Sequence, residues 1–278
     1  MIKSILLAAD ASRHAVTARD QAIVLAKAYD AKLIAVSVLD VRLLEMPPYL
    51  DYAYPFETIA ISQFPVELLE GFRVKAERVL EDTRLAAVDE EVAVETRLEE
   101  GVPGEVLADL GDTTDIIVIG KRGEHAKWGK DLLGSITEGV VRRAATPVLI
   151  TELEVSPLRS FAVLYDGSHP ANRTLKLVAN MATRLQASLQ ILTAGGKAEE
   201  VAQLQDGARR YLEPFGLSVS YHGLKGGPVQ VLPEHLKKEP ADVVAMGKKG
   251  HSLLQRLILG STAEHLMRVL PVPVLLVP

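Results

Sequence analysis

The stretch from Gly247 to Thr262, GKKGHSLLQRLILGST, follows an apolar segment, ADVVAM, and precedes an amphipathic one, AEHLMRVL. This order predicts a strand, a glycine-rich loop and the start of a helix. Gly247 and Gly250 allow the backbone to turn sharply and bring its N–H groups close to an anion. Gly260 and Ser261 place further N–H groups and a hydroxyl at a positively polarised helix N-terminus. The stretch therefore predicts a phosphate-binding loop.

An imperfect copy of this loop, GKRGEHAKWGKDLLGS, runs from Gly120 to Ser135. The surrounding order also repeats, since Asp166 lies 156 positions after Asp10 and both follow an apolar strand. Pro228 lies only 125 positions after Pro103, so the second copy is shorter between these points. Self-similarity that preserves order predicts a duplication. We expect a first domain over residues 1–151, a linker over 152–159 and a second domain over 160–278. An irregular stretch at about 40–64 is interpreted as an inserted loop or lid.

Short apolar runs alternate with amphipathic segments throughout both copies. The first copy has the order βαβαβαβαβ, from the run at residues 5–9 to the run at 147–150. Buried strands that alternate with amphipathic helices indicate a doubly wound, mostly parallel sheet. We therefore expect an α/β fold in each half.

Composition excludes several classes of function. The chain has 278 residues, a net charge of −5 and no cysteine. The charge argues against nucleic acid and anionic membranes as partners, and the missing cysteine excludes disulfides and thiolate catalysis. No apolar run reaches the ~20 residues of a membrane span, so we expect a cytoplasmic protein. The seven histidines lack HxxxH or HxH spacing, and no metal site or Ser/His/Asp arrangement is expected.

Candidate binding residues lie where the strands of such a sheet end, because ligands bind beyond their carboxyl ends. Asp10 and Asp166 follow the first strand of each copy and suit the amine or ribose hydroxyls of a nucleotide. The alternative is that each Asp caps the next helix together with Ser12 or Ser168. Cationic residues in the two loops favour phosphate over an ordinary turn; they are Lys121, Arg122, Lys127, Lys130, Lys248, Lys249 and Arg256. His125 and His251 are either phosphate contacts or exposed loop residues.

These features resemble the universal stress protein family in its tandem form. The ATP-binding members carry G-x-x-G, nine residues and G-[S/T], which Gly247, Gly250, Gly260 and Ser261 match. The motifs around Asp10 and Asp166, the GxP turns and the closing PVLI and PVLL runs add to the resemblance, which covers nearly the whole chain. It implies two flavodoxin-like (Rossmann-like) domains, each a five-stranded sheet with helices on both faces. It also implies that residues 148–150 and 274–277 pair as an internal pseudo-dimer.

The resemblance implies an adenine-nucleotide site in each domain. In the second domain it comprises Leu164, Tyr165, Asp166, Ala194, Met246, Gly247, Gly250, Gly260, Ser261 and Thr262. In the first it comprises Ala8, Ala9, Asp10, Val38, Ile119, Gly120, Gly123, Gly134, Ser135 and Ile136. Ten residues separate Gly123 from Gly134, one more than the family pattern, and Ala11 replaces the glycine at 167. We therefore expect the second site to be the surer binder.

The function expected from the resemblance is that of an ATP-binding stress-response switch or sensor, with Mg²⁺ as a further candidate ligand. One alternative is a slow ATPase or nucleotidyl transferase that uses Lys248 or His251 on the phosphates. Another is an interaction scaffold that needs no nucleotide. No catalytic residue is identified, an unnamed protein partner is expected, and a homodimer of the tandem chain is a candidate assembly.

Overall fold

The computed structural model describes residues 2–43, 64–123, 133–248 and 259–278. Within the first half of these residues, five strands alternate with four helices. The strands are β1 (Ser4–Ala8), β2 (Lys32–Asp40), β3 (Val94–Gly101), β4 (Ile116–Gly120) and β5 (Val148–Thr151). The helices are α1 (Arg13–Tyr29), α2 (Phe64–Asp89), α3 (Pro103–Gly111) and α4 (Ser135–Arg143). Asp40 ends β2 and a 3₁₀ turn covers Val41–Leu43, while most of the expected insertion lies outside the described residues.

The second half repeats this order from Ser160 onward. Its strands are β6 (Ser160–Leu164), β7 (Ser188–Gly195), β8 (Val219–Lys225), β9 (Val243–Gly247) and β10 (Val274–Val277). Its helices are α5 (His169–Leu185), α6 (Ala198–Leu212), α7 (Pro228–Lys238) and α8 (Ser261–Val269). The predicted alternation of strands and helices is confirmed.

All ten strands form one sheet in the order β3-β2-β1-β4-β5-β10-β9-β6-β7-β8. Every neighbouring pair is parallel except β5 and β10, which are antiparallel. Val274 faces Ile150 and Leu276 faces Val148 at this junction. The expected pairing of the last strands is confirmed, and it joins the two halves into one mostly parallel sheet.

Successive side chains of a strand point to opposite faces of the sheet, and apolar residues cover both faces here. One buried cluster joins the sheet to α1, α2, α5 and α6, and includes Leu25, Phe161 and Val178. The other joins it to α3, α4, α7 and α8, and includes Val140 and Leu266. Each cluster draws residues from both halves of the chain. Burial therefore continues across the junction of β5 and β10.

Helix α1 shows how local sequence sets the ends of these elements. Ser12 caps α1, because its hydroxyl accepts a hydrogen bond from the N–H of Ala15 at 3.0 Å. The helix ends at Asp30, which takes the left-handed conformation with φ 51°. No helix in the described part of the chain is long and apolar enough to cross a membrane.

Candidate functional site

A crevice opens in the first half where β1, β2 and β4 end. Eight of the ten site residues predicted there line it: Ala8, Ala9, Asp10, Val38, Ile119, Gly120, Gly123 and Ile136. The crevice is also lined by Ser12, Ala15, Val36, Ser37, Pro103, Leu107, Arg122 and Thr137. Ala15, Val36, Ser37, Leu107 and Thr137 were not among the site residues predicted from the sequence. Ser37 precedes the predicted site residue Val38 on β2, and Thr137 lies two residues after the predicted site residue Ser135. Nearness in sequence to a predicted site residue was therefore the signal that could have identified these two.

The Asp10 carboxylate lies between the helix start and the glycine loop. Its Oδ1 accepts a hydrogen bond from the N–H of Ser12 at 2.7 Å. Its Oδ2 lies on the other side, 3.0 Å from where a Cβ at Gly123 would stand. Asp166 accepts the equivalent bond from Ser168 N–H at 3.0 Å. The hydroxyls that cap α1 and α5 belong to the two serines, so both Asp side chains have capacity for another donor.

Glycines allow the end of β4 and the described residues beside it to approach this helix start closely. A Cβ at Gly120 would lie 2.8 Å from the backbone of His14, and one at Gly134 would lie 3.2 Å from the N atom of Gly123. Ser12 Oγ donates to the carbonyl oxygen of Arg122 at 3.2 Å. The structure thus brings Gly120, Gly123 and Gly134 together beside Asp10.

The helices that follow the glycine loops begin without a side-chain cap. Gly134 is the N-cap of α4 and Gly260 is the N-cap of α8, and neither offers a side-chain acceptor. The first backbone N–H groups that donate to the carbonyl oxygens of these caps are those of Glu138, to Gly134, and Glu264, to Gly260. The earlier N–H groups of each helix therefore have no partner within it. Such a helix start is suited to an anion.

The second half carries the same framework. Leu164 packs in the same core as Met246, and Ala194 lies near the end of β7. Tyr165 donates its N–H to Leu192 as Ala9 does to Val36. The Tyr165 side chain packs on the opposite face, where its hydroxyl donates to Asn172 Oδ1 at 2.8 Å. The Tyr165 side chain therefore lies on the other face of the sheet from Leu164, and only the Tyr165 backbone is near the predicted site.

The rest of the predicted second site lies around the loop ends. Gly247 ends β9, Gly260 caps α8, and Ser261 and Thr262 form its first turn. Gly260 donates its N–H to the carbonyl oxygen of Lys248 at 3.0 Å, as Gly134 does to Lys121 at 3.0 Å. Gly250 lies outside the described residues, as do the loop cations 127, 130, 249 and 256 and the histidines 125 and 251.

The lysines that follow the first loop glycines do not face the crevices. Lys121 and Lys248 are 6% and 4% exposed. The Lys121 ammonium donates to the carbonyl oxygen of Leu270 at 2.9 Å and pairs with Glu152. The Lys248 ammonium donates to the carbonyl oxygens of Arg142 and Ala144. The expectation that these two lysines contact phosphate is therefore corrected: each caps a helix of the other half.

Thr137 in the first copy makes a hydrogen bond that its counterpart in the second copy cannot make. The buried Thr137 donates its hydroxyl to the carbonyl oxygen of Gly120 at 2.8 Å, which ties α4 to the end of β4. Ala263 occupies the equivalent place in α8 and has no hydroxyl. Ala11 and Gly167 also differ, because Gly167 has φ 73° and a Cβ there would lie 2.5 Å from Leu204. Among the described residues, the hydrogen bond from Thr137 to Gly120 is therefore particular to the first copy.

The charges near the first crevice act on His14, next to the loop. Burial lowers the pKa of His14 from its usual 6.5, and the charges of Arg122 and Lys121 lower this pKa further. Asp10 acts in the opposite direction and raises it. His14 is therefore neutral at pH 7. Arg122 also lines the crevice, and its positive charge favours an anionic ligand there.

The sequence profile described as the universal stress protein family matches residues 1–152 and 193–278. A universal stress protein of Synechocystis is 30% identical over 172 residues, which cover 61% of this chain and 60% of that protein. The chain thus spans less than two thirds of that relative. A universal stress protein of Archaeoglobus fulgidus has a similar crystal structure, with a TM-score of 0.76 and 22% identity. That similarity covers 99% of this chain and 97% of the other.

Proposed function

The chain belongs to the universal stress protein family, and from that premise we propose that it binds ATP or a related adenine nucleotide as a stress-response switch in the cytoplasm. The binding sites are the crevice beside Asp10 and its counterpart beside Asp166. The family supplies the expectation, and the shape and charge of the crevice support it. Mg²⁺ would arrive with the phosphates of ATP.

The observation that carries the proposal is that one crevice contains both a hydrogen-bond acceptor, the Asp10 carboxylate, and a helix start suited to an anion. Asp10, with its free carboxylate capacity, lies on one side, and the uncapped start of α4 lies on the other. Between them the wall is apolar, formed by Val38, Ile119 and Ile136 among others. An adenine nucleotide consists of a base with an exocyclic amine, a ribose and a phosphate chain. Its amine or ribose hydroxyls match Asp10, the face of its base matches the apolar wall, and its phosphates match the start of α4.

Each part of the nucleotide has a suitable partner. The apolar wall matches the face of a purine, and the Asp10 carboxylate accepts hydrogen bonds from an exocyclic amine or ribose hydroxyls. The free N–H groups at the starts of α4 and α8 donate to phosphate oxygens without a charged side chain. Binding therefore does not need Lys121 or Lys248, which are engaged elsewhere.

The glycine loops are the switch elements in this proposal. Each loop begins at a lysine that is fixed to a helix of the other half, at Leu270 or at Ala144. A phosphate that binds at the far end of the loop therefore acts on a segment anchored to the domain junction. A partner protein that contacts this junction or the loops would distinguish the bound from the free state.

Isothermal titration of the purified chain with ATP tests the proposal. We expect saturable binding with a dissociation constant below about 1 mM. The absence of binding at that concentration would contradict it and favour a scaffold that needs no nucleotide. Product analysis of the same samples measures hydrolysis. The Lys248 ammonium donates to a backbone carbonyl oxygen of the other half, and we propose no catalytic role for it.

A further inference from the structure

Three metal-ligating side chains converge at the edge of the sheet in the second half. His222 lies on β8, which is the last strand of the sheet, and His235 lies on α7, with Glu239 directly after its end. One ligand atom from each lies within 4.8 Å of the other two. The Nε2 atom of His222 is 3.4 Å from Glu239 Oε2, and the two imidazole centroids are 4.6 Å apart.

Neighbouring polar groups orient this cluster. Gln190 on β7 donates its amide NH₂ to the carbonyl oxygen of Pro240 at 3.3 Å, so its Oε1 faces the Nε2 of His235, also at 3.3 Å. An acceptor at Nε2 favours the tautomer protonated there and leaves Nδ1 with a free lone pair. The hydroxyl of Ser220 lies 2.9 Å from Nε2 of His222. The contact of Gln190 is of the kind that fixes a histidine ring at a metal centre, whereas an ion bound at Nε2 of His222 would replace the contact with Ser220.

We propose that His222, His235 and Glu239 form a binding site for a divalent transition-metal ion, with Zn²⁺ as the expected ion. Two imidazoles and one carboxylate are a donor set that zinc takes in proteins, with water completing the coordination. The ligands come from a strand, a helix and the residue after that helix. A bound ion therefore links the exposed edge of β8 to the end of α7.

The first half shows that the fold does not require these side chains. Pairing in register with β2 and β7 places Arg97 of β3 where His222 stands in β8. Arg97 pairs with Glu95 there. Counting from Pro103 and Pro228, Leu110 of α3 corresponds to His235 of α7. The histidines thus replace an ordinary ion pair and an apolar residue, which gives the second half a distinct chemistry at this edge.

The proposed metal site is separate from the proposed nucleotide site. Pro228 begins α7 at the position equivalent to Pro103, which lines the first crevice. His235 is two turns further along α7, or about 10 Å at 1.5 Å per residue. A failure of nucleotide binding would therefore not contradict the proposed metal site, and the reverse also holds.

The test is a Zn²⁺ titration of the full chain, freed of any affinity tag, against a chromophoric chelator. We expect one strongly bound ion per chain. His222→Gln and His235→Gln should each weaken zinc binding by more than about tenfold, since even changes around metal ligands cost about 10–100-fold. His222→Cys, unlike His222→Gln, should keep strong zinc binding, because a thiolate is also a zinc ligand. His265→Gln, on the exposed part of α8, is the matched control and should leave the affinity unchanged.

Substitution by Co²⁺ gives a second readout. A tetrahedral or five-coordinate site would show visible ligand-field absorption that is lost in His222→Gln and retained in His265→Gln. Circular dichroism of each variant in chelator confirms that it is folded. The proposal is overturned if the wild-type chain binds no Zn²⁺ at micromolar concentration. It is also overturned if the double variant of His222 and His235 binds as the wild type does.

Discussion

The ammonium of Lys121 lies 2.9 Å from the carbonyl oxygen of Leu270, the C-cap residue of α8 in the other half of the chain. The ammonium of Lys248 lies 3.0 Å from the carbonyl oxygen of Ala144, the C-cap residue of α4. The two contacts are reciprocal, and each places a cation at the negative end of a helix dipole. The residues next to the loop glycines thus hold the domain junction together.

Removal of Lys248 should destabilise the protein by leaving buried carbonyl oxygens unpaired. We expect Lys248→Met to lower the free energy of unfolding by about 1 to 3 kcal/mol, the cost of unsatisfied buried polar groups. Lys121→Met should cost about 3 kcal/mol, because it also leaves the largely buried Glu152 carboxylate without its partner. Urea denaturation measures both. Lys27→Met removes an exposed pair and is the control, and an equal effect there would contradict this account.

Gly120 should not tolerate a side chain, because a Cβ there would lie 2.8 Å from the backbone of His14. We expect Gly120→Ala to destabilise the protein by about 1 to 3 kcal/mol, as overpacking does. Gly71→Ala is the matched control, since Gly71 lies in α2 with nothing within 4 Å of the added methyl. That change should stabilise by about 0.5 to 1 kcal/mol. Denaturation curves that show the same shift for both variants would refute the close approach.

The pKa of His14 should report on the charges of the first crevice. Asp10→Asn should lower this pKa further, and Arg122→Gln should raise it, because these charges act on His14 in opposite directions. A bound nucleotide phosphate should raise the pKa, because it adds negative charge nearby. Imidazole NMR signals followed against pH measure all three shifts. A pKa that does not move on ATP binding would place the phosphates away from this loop.

The lowered pKa of His14 also makes stability depend on pH. The unfolded chain binds a proton at about pH 6.5, whereas the folded chain holds His14 neutral to lower pH. Stability is therefore complete above pH 6.5 and falls as the pH drops from there to the folded-state pKa of His14. In His14→Gln this part of the acid sensitivity should disappear. Thermal melts of both proteins between pH 7 and pH 5 make the comparison.

Local patterns in the sequence were sufficient for most of the fold. The apolar runs that became β1, β4 and β9, and the glycines after β4 and β9, follow rules of period and turn chemistry that act over few residues. The family resemblance supplied the pairing of β5 with β10. The places of Lys121 and Lys248 depend on that pairing, since it sets each lysine against the other half's helix end. Their contacts span more than 100 residues and leave no local pattern.

The cluster of His222, His235 and Glu239 could not be identified for a related reason. Its histidines lie on a strand and on the helix after it, so their spacing matches no metal motif. Only the packing of α7 against β8 brings them together. By contrast, Asp10 and Gly123 could be expected to meet, because both follow parallel strands whose carboxyl ends share an edge.

Titration of ATP into matched loop variants tests the central claim most directly. Gly134→Asp and Gly260→Asp each place a carboxylate at one uncapped helix start, where it would repel phosphate and weaken binding by about 100-fold or more. We predict that wild type binds two nucleotides, each single variant binds one, and the double variant binds none. Circular dichroism verifies that the variants fold. If the double variant binds ATP as the wild type does, the glycine loops and helix starts are not the nucleotide sites.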